Sequence, residues 1–262
     1  MSTVVIQSHS AGSVVIQAYD AGTIVETQGG ESWSDAFNFA WDPADLALSN
    51  DDPVASWVDL IAGKALAQAV GASQPLFKTS LLGYPAVKCD GSNDHLWSSD
   101  AALQLSGAAA SVSGALLFVL SGGGNVSGEP GGWGNSTTTA RSLTHRYASA
   151  TQYSAAYGSS GSAGLLAAAG GTYVVGEINL MMITASSGVL KIWRNGTLLT
   201  SVAIAGDWAS NRFALGGRLR ATFVVPTTAA FHGVGLAFGA EAAALHADPS
   251  AMFALASTKW GL

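Results

Sequence analysis

The sequence predicts an all-β chain: an antiparallel β-sandwich preceded by a β-repeat arm and closed by a short C-terminal helix. Three observations carry this expectation: a ten-residue repeat at the start, short apolar runs punctuated by Gly, Ser, Asn and Pro thereafter, and an alanine-rich end. With 262 residues there is material for one large β domain or two small ones, and 48% hydrophobic against 11% charged residues leaves little to solvate long amphipathic helices. The texture changes near Trp33, so residues 1–32 are expected to form the arm and 33–262 the sandwich.

The arm repeats Thr3-Val4-Val5-Ile6-Gln7 as Ser13-Val14-Val15-Ile16-Gln17 and Thr23-Ile24-Val25-Glu26, with Ala11-Gly12 and Ala21-Gly22 between the units. Each unit reads as a strand and a turn. Neighbouring side chains on a strand point to opposite faces, so consecutive β-branched residues make both faces apolar. Three short strands of this kind cannot cover themselves, which points to assembly contacts through Val4, Val5, Ile6, Val14, Val15, Ile16, Ile24 and Val25. An ordinary N-terminal meander packed on its own domain is the competing reading.

Strands are expected near 54–60, 84–89, 112–120, 171–184, 188–194, 197–204, 212–216 and 231–238. Asn195-Gly196, between Lys191-Ile192-Trp193 and Leu198-Leu199, is a strong hairpin signal, because a tight primed turn needs positive φ at both central residues. The stretch from Ser121 to Tyr157 reads as a long loop. At the end, Asp248-Pro249 predicts a helix start, with Asp capping and Pro in the first helical position.

Eleven basic against seventeen acidic residues give a net charge of -6, which disfavours nucleic acid and anionic lipid as partners. Residues 101–128 are uncharged, yet Gly107, Gly114 and Gly122-Gly123-Gly124 interrupt them, so no membrane span is expected. The start lacks the basic and apolar pattern of a secretory signal, and the single Cys89 has no intrachain partner, as in a protein made in a reducing cytoplasm.

Several motifs in fixed order resemble a known family. Trp57-x-Asp59 with Gly63, Gln74-Pro75, and Gly83-x-Pro85-Ala86-Val87-x-Cys89-Asp90-Gly91-Ser92-Asn93-Asp94-x-Leu96 are similar to the opening of a laminin-G-like, concanavalin A-like jelly roll. Lys191 to Thr197, Phe213-x-Leu215-Gly216-Gly217-Arg218 and Phe231-His232-Gly233-x-Gly235 resemble its later strands, and Thr258-Lys259-Trp260-Gly261-Leu262 resembles tails of such domains in bacteriophage particle proteins. The resemblance spans roughly residues 35 to 262 and implies a lectin or glucanase superfold.

Hydrolysis of a glycan with retention needs two carboxyl groups about 5 Å apart. The five glutamates, Glu26, Glu31, Glu129, Glu177 and Glu241, are isolated in sequence, and no run of acids alternates along a strand. The scattered histidines and the absence of a nucleophile elbow disfavour a triad, and Cys89 beside Val87 reads as a small core residue. A non-enzymatic role is therefore expected, with a polysaccharide-degrading glycosidase or lyase as the alternative.

Glycan recognition combines aromatic faces with a few polar anchors. The predicted loop supplies Trp133, Asn135, Arg141, His145, Tyr147 and Tyr153 as candidates. The bland alternative is that these rings pin the loop to the sandwich. Trp57, Trp97, Trp193 and Trp260 fall in or beside strands or in the tail and read as packing residues. Asp90, Asn93 and Asp94 place hard oxygen donors within one short segment, a candidate calcium site, although the same residues also suit a tight turn.

Together these readings, with the resemblance, imply a virion structural protein: a capsid decoration protein, head fibre or tail component, made in the host cytoplasm. The arm would bind other virion proteins or a homo-oligomer, a trimer most simply, while the sandwich offers a weak contact to cell-surface glycan for host adhesion.

Overall fold

A computed structural model of the chain describes residues 9–10, 13–20, 23–28, 31–122, 128–135, 142–147, 152–158, 164–172, 174, 176–219, 223–224 and 227–262. Two eight-stranded antiparallel sheets face each other. The first runs, in spatial order, β18 (Thr197–Ala203), β17 (Val189–Arg194), β16 (Asn179–Ser186), β11 (Gly114–Gly122), β23 (Ala229–Phe238), β8 (Tyr84–Lys88) and β7 (Leu76–Leu81), with β4 (Phe39–Trp41) also paired to β23. The second runs β15 (Gly164–Thr172), β14 (Gln152–Gly158), β13 (Ser142–Tyr147), β12 (Gly131–Gly134), β20 (Arg212–Leu215), β9 (Leu96–Ser98), β6 (Ala65–Ala67) and β5 (Ser56–Val58). Strands far apart in sequence lie side by side, as a jelly roll requires.

Strand β11 shows why residues 115–120 are continuously apolar. Leu116, Phe118 and Leu120 enter the core between the sheets, where they meet Trp41, Met181, Ile183, Phe213 and Phe231. The alternate residues Ala115, Leu117 and Val119 join a second cluster on the other face, with Leu180, Met182 and Trp193. A strand buried on both faces must read as one continuous apolar run. The cover on that second face is helical: α1 (Gly239–Ala247) supplies Leu245, and α2 (Ser250–Trp260) supplies Met252, Phe253 and Trp260. Among the described residues no helix is long and apolar enough to cross a membrane.

The expected hairpin turn is present, and the expected helix start is displaced by one residue. Asn195 and Gly196 have φ of 46° and 80°, and they join β17 to β18. The Asn195 side-chain oxygen also accepts the Leu180 N–H at 2.8 Å, so the turn is tied to β16. Asp248 accepts the Ser250 N–H at 2.9 Å at the start of α2, and Pro249 takes the cap position, one residue earlier than expected. The Lys259 ammonium pairs with Asp42 and lies 5.6 Å from the Trp33 ring and 5.2 Å from the Trp260 ring. One cation thus fastens the last helix to the first turns of the sandwich.

Two expectations need correction. The expected strand 171–184 divides, its start ending β15 and its remainder forming most of β16. The expected loop 121–157 instead contributes β12, β13 and β14 to the second sheet. In β12 both Gly131 and Gly132 are extended, with φ of 152° and 146°, a region that side chains rarely enter.

Ahead of the sandwich, β1 (His9–Ser10), β2 (Ser13–Asp20) and β3 (Thr23–Gln28) form an antiparallel meander with Ser10 opposite Ser13 and Asp20 opposite Thr23, so two of the three repeat units fall on strands and the first lies outside the described residues. Among the described residues this sheet hydrogen-bonds to no strand of the sandwich. Val14, Val15 and Ile16 lie on β2 and Ile24 and Val25 on β3, whereas Val4, Val5 and Ile6 lie outside the described residues.

Candidate functional site

Three of the aromatic candidates turn inward. Trp133 is fully buried, its indole N–H donates to the Leu103 carbonyl at 2.8 Å, and its ring lies 6.0 Å from Phe213 and 5.7 Å from Phe238. His145 is buried 4.4 Å from the Phe118 ring with Nε2 3.3 Å from the Leu116 carbonyl, and burial lowers its pKa to about 3. Tyr147 is equally enclosed. A pyranose cannot stack on a ring without solvent access, so the expected glycan roles of Trp133, His145 and Tyr147 are corrected to core packing. Asn135 is half-buried and donates to the Ala209 carbonyl. Arg141 lies outside the described residues, as does the side chain of Tyr153.

The candidate calcium ligands form a turn. The Asp90 carboxylate accepts the N–H groups of Ser92 at 2.7 Å and Asn93 at 3.4 Å, and Asp94 accepts the Asp90 N–H at 2.9 Å. Asn93 turns its amide N–H outward from the triplet, to the Ala72 carbonyl at 2.9 Å and Ser73 Oγ at 3.1 Å. Burial raises the Asp94 pKa. The donor set does not converge, and the expected calcium role of Asp90, Asn93 and Asp94 gives way to an Asx turn. Among the described residues no group of three or more His, Cys, Asp or Glu could hold a metal ion. Cys89 is the expected buried thiol, raised chiefly by burial and then by Asp94 and Asp90. Glu129 is buried ahead of β12, Glu177 is exposed ahead of β16, and Glu241 is exposed on α1.

The outward face of the second sheet holds a different constellation. Leu96 and Phe213 enter the core, so alternation turns their neighbours Trp97 and Arg212 to the other face, where both are half-exposed. The Arg212 guanidinium lies 5.3 Å from the centroid of the Trp97 ring. In register, Trp97 stands opposite Ala67 on one side and Ala214 on the other, both with only a methyl side chain. Near one end of the β6–β9 pair Lys64 meets Asp100 at 2.8 Å, and near the other the Gln68 amide donates to His95 Nε2 at 2.6 Å. His95 Nδ1–H in turn donates to the Asn93 carbonyl at 2.7 Å, and burial lowers its pKa. An indole, a guanidinium and two polar pairs thus lie along the same three strands.

The sequence reading assigned Trp97 to packing and did not consider Arg212. The missed signal was alternation: Leu96 and Phe213 are the apolar members of their strands, which leaves the residues beside them on the opposite face.

No protein family and no curated protein matches the chain. Among solved structures it is similar to the CBM40 module of Ruminococcus gnavus IT-sialidase bound to α2,3-sialyllactose, at 15% identity over 49% of this chain and 77% of that one with a TM-score of 0.39. It is similar to domain 4 of AbnA, a GH43 extracellular arabinanase from Geobacillus stearothermophilus in complex with arabinotriose, at 12% identity over 72% and 93% of the two chains with a TM-score of 0.49. A third is the polysaccharide lyase family 7 alginate lyase AlgAT5, at 13% identity over 78% and 96% with a TM-score of 0.42. On its own strand order, register and core, the chain is an antiparallel jelly-roll β-sandwich with a β-repeat arm and a helical cover.

Proposed function

We propose that the chain is a non-enzymatic glycan-binding sandwich, carried on a larger particle by its N-terminal arm. The observation that supports glycan binding is the half-exposed Trp97–Arg212 pair, flanked in register by alanines, on the outward face of the second sheet. An aromatic face supplies apolar area that stacks on the axial C–H groups of a sugar, while the neighbouring polar pairs supply hydrogen bonds to hydroxyls. Weak single sites of this kind gain strength from copy number, which an oligomer or a virion supplies. The non-catalytic reading is our own, and release of reducing ends or unsaturated products from a bound polysaccharide would overturn it.

Trp97→Ala is expected to weaken glycan binding by about tenfold or more. Because the side chain is half-exposed, unfolding free energy should move by no more than roughly 0.5–1 kcal/mol. Isothermal titration against polysaccharides retained by the parent chain, alongside urea unfolding, reads both quantities. Equal affinity in the variant would remove Trp97 from the site.

The anchoring role is supported by a meander that pairs only with itself among the described strands and by a sequence in which β-branched residues follow one another in runs. The phage resemblance of the sandwich motifs makes a virion, assembled in the host cytoplasm, the setting we favour. The arm would meet capsid or tail proteins, with a homotrimer the simplest self-association. Deleting residues 2–30 should leave a sandwich with unchanged urea unfolding that sediments as a monomer and no longer joins its assembly. Retention of the parent oligomeric state and of incorporation would refute the arm's role.

A further inference from the structure

We infer that the groove beside β5 receives the first arm repeat, residues 3–7, of a neighbouring copy as an added strand. The inference rests on the arm reading above and names where the arm docks. Strand β5 is the outer strand of the second sheet, with β6 on its inner side. The Gln68 N–H donates to the Ala55 carbonyl and the Asp59 N–H to the Lys64 carbonyl, both at 2.8 Å, so Ala55, Trp57 and Asp59 turn their backbone groups to the β6 side. Bonding direction alternates along an antiparallel strand, which turns the N–H and C=O of Ser56 and Val58 away from the sheet. Among the described residues nothing meets them there.

This edge is recessed. Residues 45–48 run beside it, and between them and β5 lies a groove of about 330 Å3 lined by Leu46, Leu48, Pro53, Trp57 and Val58 among others. Open edges are ordinarily guarded by charge, proline or a covering segment, and the outer strand β7 of the first sheet obeys: it carries Lys78, and Phe77 exchanges bonds with Asp51 and Asp52. Strand β5 reads Ser-Trp-Val, with Val58 51% exposed. Free N–H and C=O groups two residues apart select an extended peptide over a sugar or a helix, and the apolar walls select uncharged side chains. Thr3-Val4-Val5-Ile6-Gln7 has that chemistry, and its five residues span the three of β5 with one to spare at each end. Alternation puts Val4 and Ile6 on one side of such a strand and Val5 on the other, so one set enters the groove while the other lies beside Val58. The second and third repeats are bonded to each other in β2 and β3, which assigns the first to the groove. A slot walled by residues 45–48 admits one strand and not the broad edge of a second sandwich. The chain enters its own sandwich at Trp33, packed on Trp260 beneath the helices on the outer face of the first sheet, so the margin of the second sheet is offered to another copy. Donor and groove differ, so the contact is head-to-tail and closes as a ring, for which three copies are the simplest case.

Single cysteines added to the full chain test the docking: Val4→Cys, Val5→Cys and Ile6→Cys, each mixed with Val58→Cys and oxidised glutathione. Cys89 is buried and stays out of the exchange. At least one mixture should give a disulfide between position 58 of one copy and the arm of another, several-fold above either variant alone. Val58→Lys supplies a second readout by sedimentation: because Val58 is exposed, the urea midpoint should hold while self-association weakens about tenfold or more. Efficient cross-linking of Val58→Cys with itself alone would show sandwich edges pairing directly and would overturn the inference, as would the lack of any link to position 58. Self-association lost on deleting residues 2–30 but kept in Val58→Lys would overturn this docking site and leave the arm's role standing. Self-association unchanged by either would remove both.

Discussion

Gly132→Ala is expected to leave the chain unable to close its second sheet. Gly132 sits in β12, between β13 and β20, with φ of 146°, and a Cβ built there would lie 2.4 Å from the Leu143 carbonyl oxygen and 2.7 Å from the Thr144 Cα. Both obstacles are backbone of the neighbouring strand, which cannot swing aside as a side-chain end can. Gly131 repeats the situation toward the other neighbour, where the added atom would meet the Ala214 carbonyl oxygen at 2.2 Å. Forcing a side chain into this region costs roughly 1–3 kcal/mol before any clash, and parting two strands adds the loss of ladder hydrogen bonds and core contacts. A combined loss of about 4 kcal/mol or more is expected, a large share of the stability of a typical domain. Gly71→Ala is the control, since nothing lies within 4 Å of its added Cβ and its φ is ordinary. Urea unfolding of the two variants should differ by that margin, and a Gly132→Ala protein as stable as Gly71→Ala would mean that β12 does not lie between these neighbours.

The second large effect is loss of stability in mild acid. His145 and His232 are both buried and neutral, burial lowering their pKa values from 6.5 to about 3 and about 4. His232 Nδ1–H donates to the Pro85 carbonyl at 3.0 Å and Nε2 accepts from Ser121 at 2.7 Å, an arrangement complete only for the neutral ring. Below pH 6.5 the unfolded chain takes up these two protons and the native chain does not, so their contribution is fully present above that pH and falls as acid is added. Between pH 7 and pH 4.5 the two rings together remove roughly 5 kcal/mol. Asp100 and Asp248 have carboxyls held below the usual range by hydrogen bonds, so their loss comes at lower pH, and Asp94, raised by burial, opposes it weakly. Unfolding free energy measured in urea should therefore slope by about 2.7 kcal/mol per pH unit near pH 5. His232→Gln should halve the slope whatever it does to absolute stability. A flat profile from pH 7 to 4.5 would show that the two imidazoles are not buried as described.

The Asn195-Gly196 hairpin, a strand over most of β11 and the helical close were legible in the sequence, because each depends on a signal carried within a few residues. An αL-tolerant dipeptide, an apolar run and an aspartate that accepts the Ser250 N–H act through local sterics and hydrogen bonding. The stretch from 121 to 157 misled for the same reason. Its glycines and serines imitate a loop locally, whereas the crowding that makes Gly131 and Gly132 necessary comes from carbonyls of Ala214 and Leu143, in strands that only the folded chain brings alongside.

The site separates the two kinds of information most clearly. Trp97 and Trp133 are both tryptophans on short strands of the same sheet, and composition does not tell them apart. Side chains alternate along a strand with a period of two, so a shift of one position exchanges core for solvent. The sequence by itself determined that both residues lie among β structure, and that part rests on local preference. Which ring faces the core was decided by pairing across the sheet, Trp133 opposite Phe213 and Trp97 opposite Ala214, a long-range choice made by the burial of Leu96, Phe213 and Leu215 all at once.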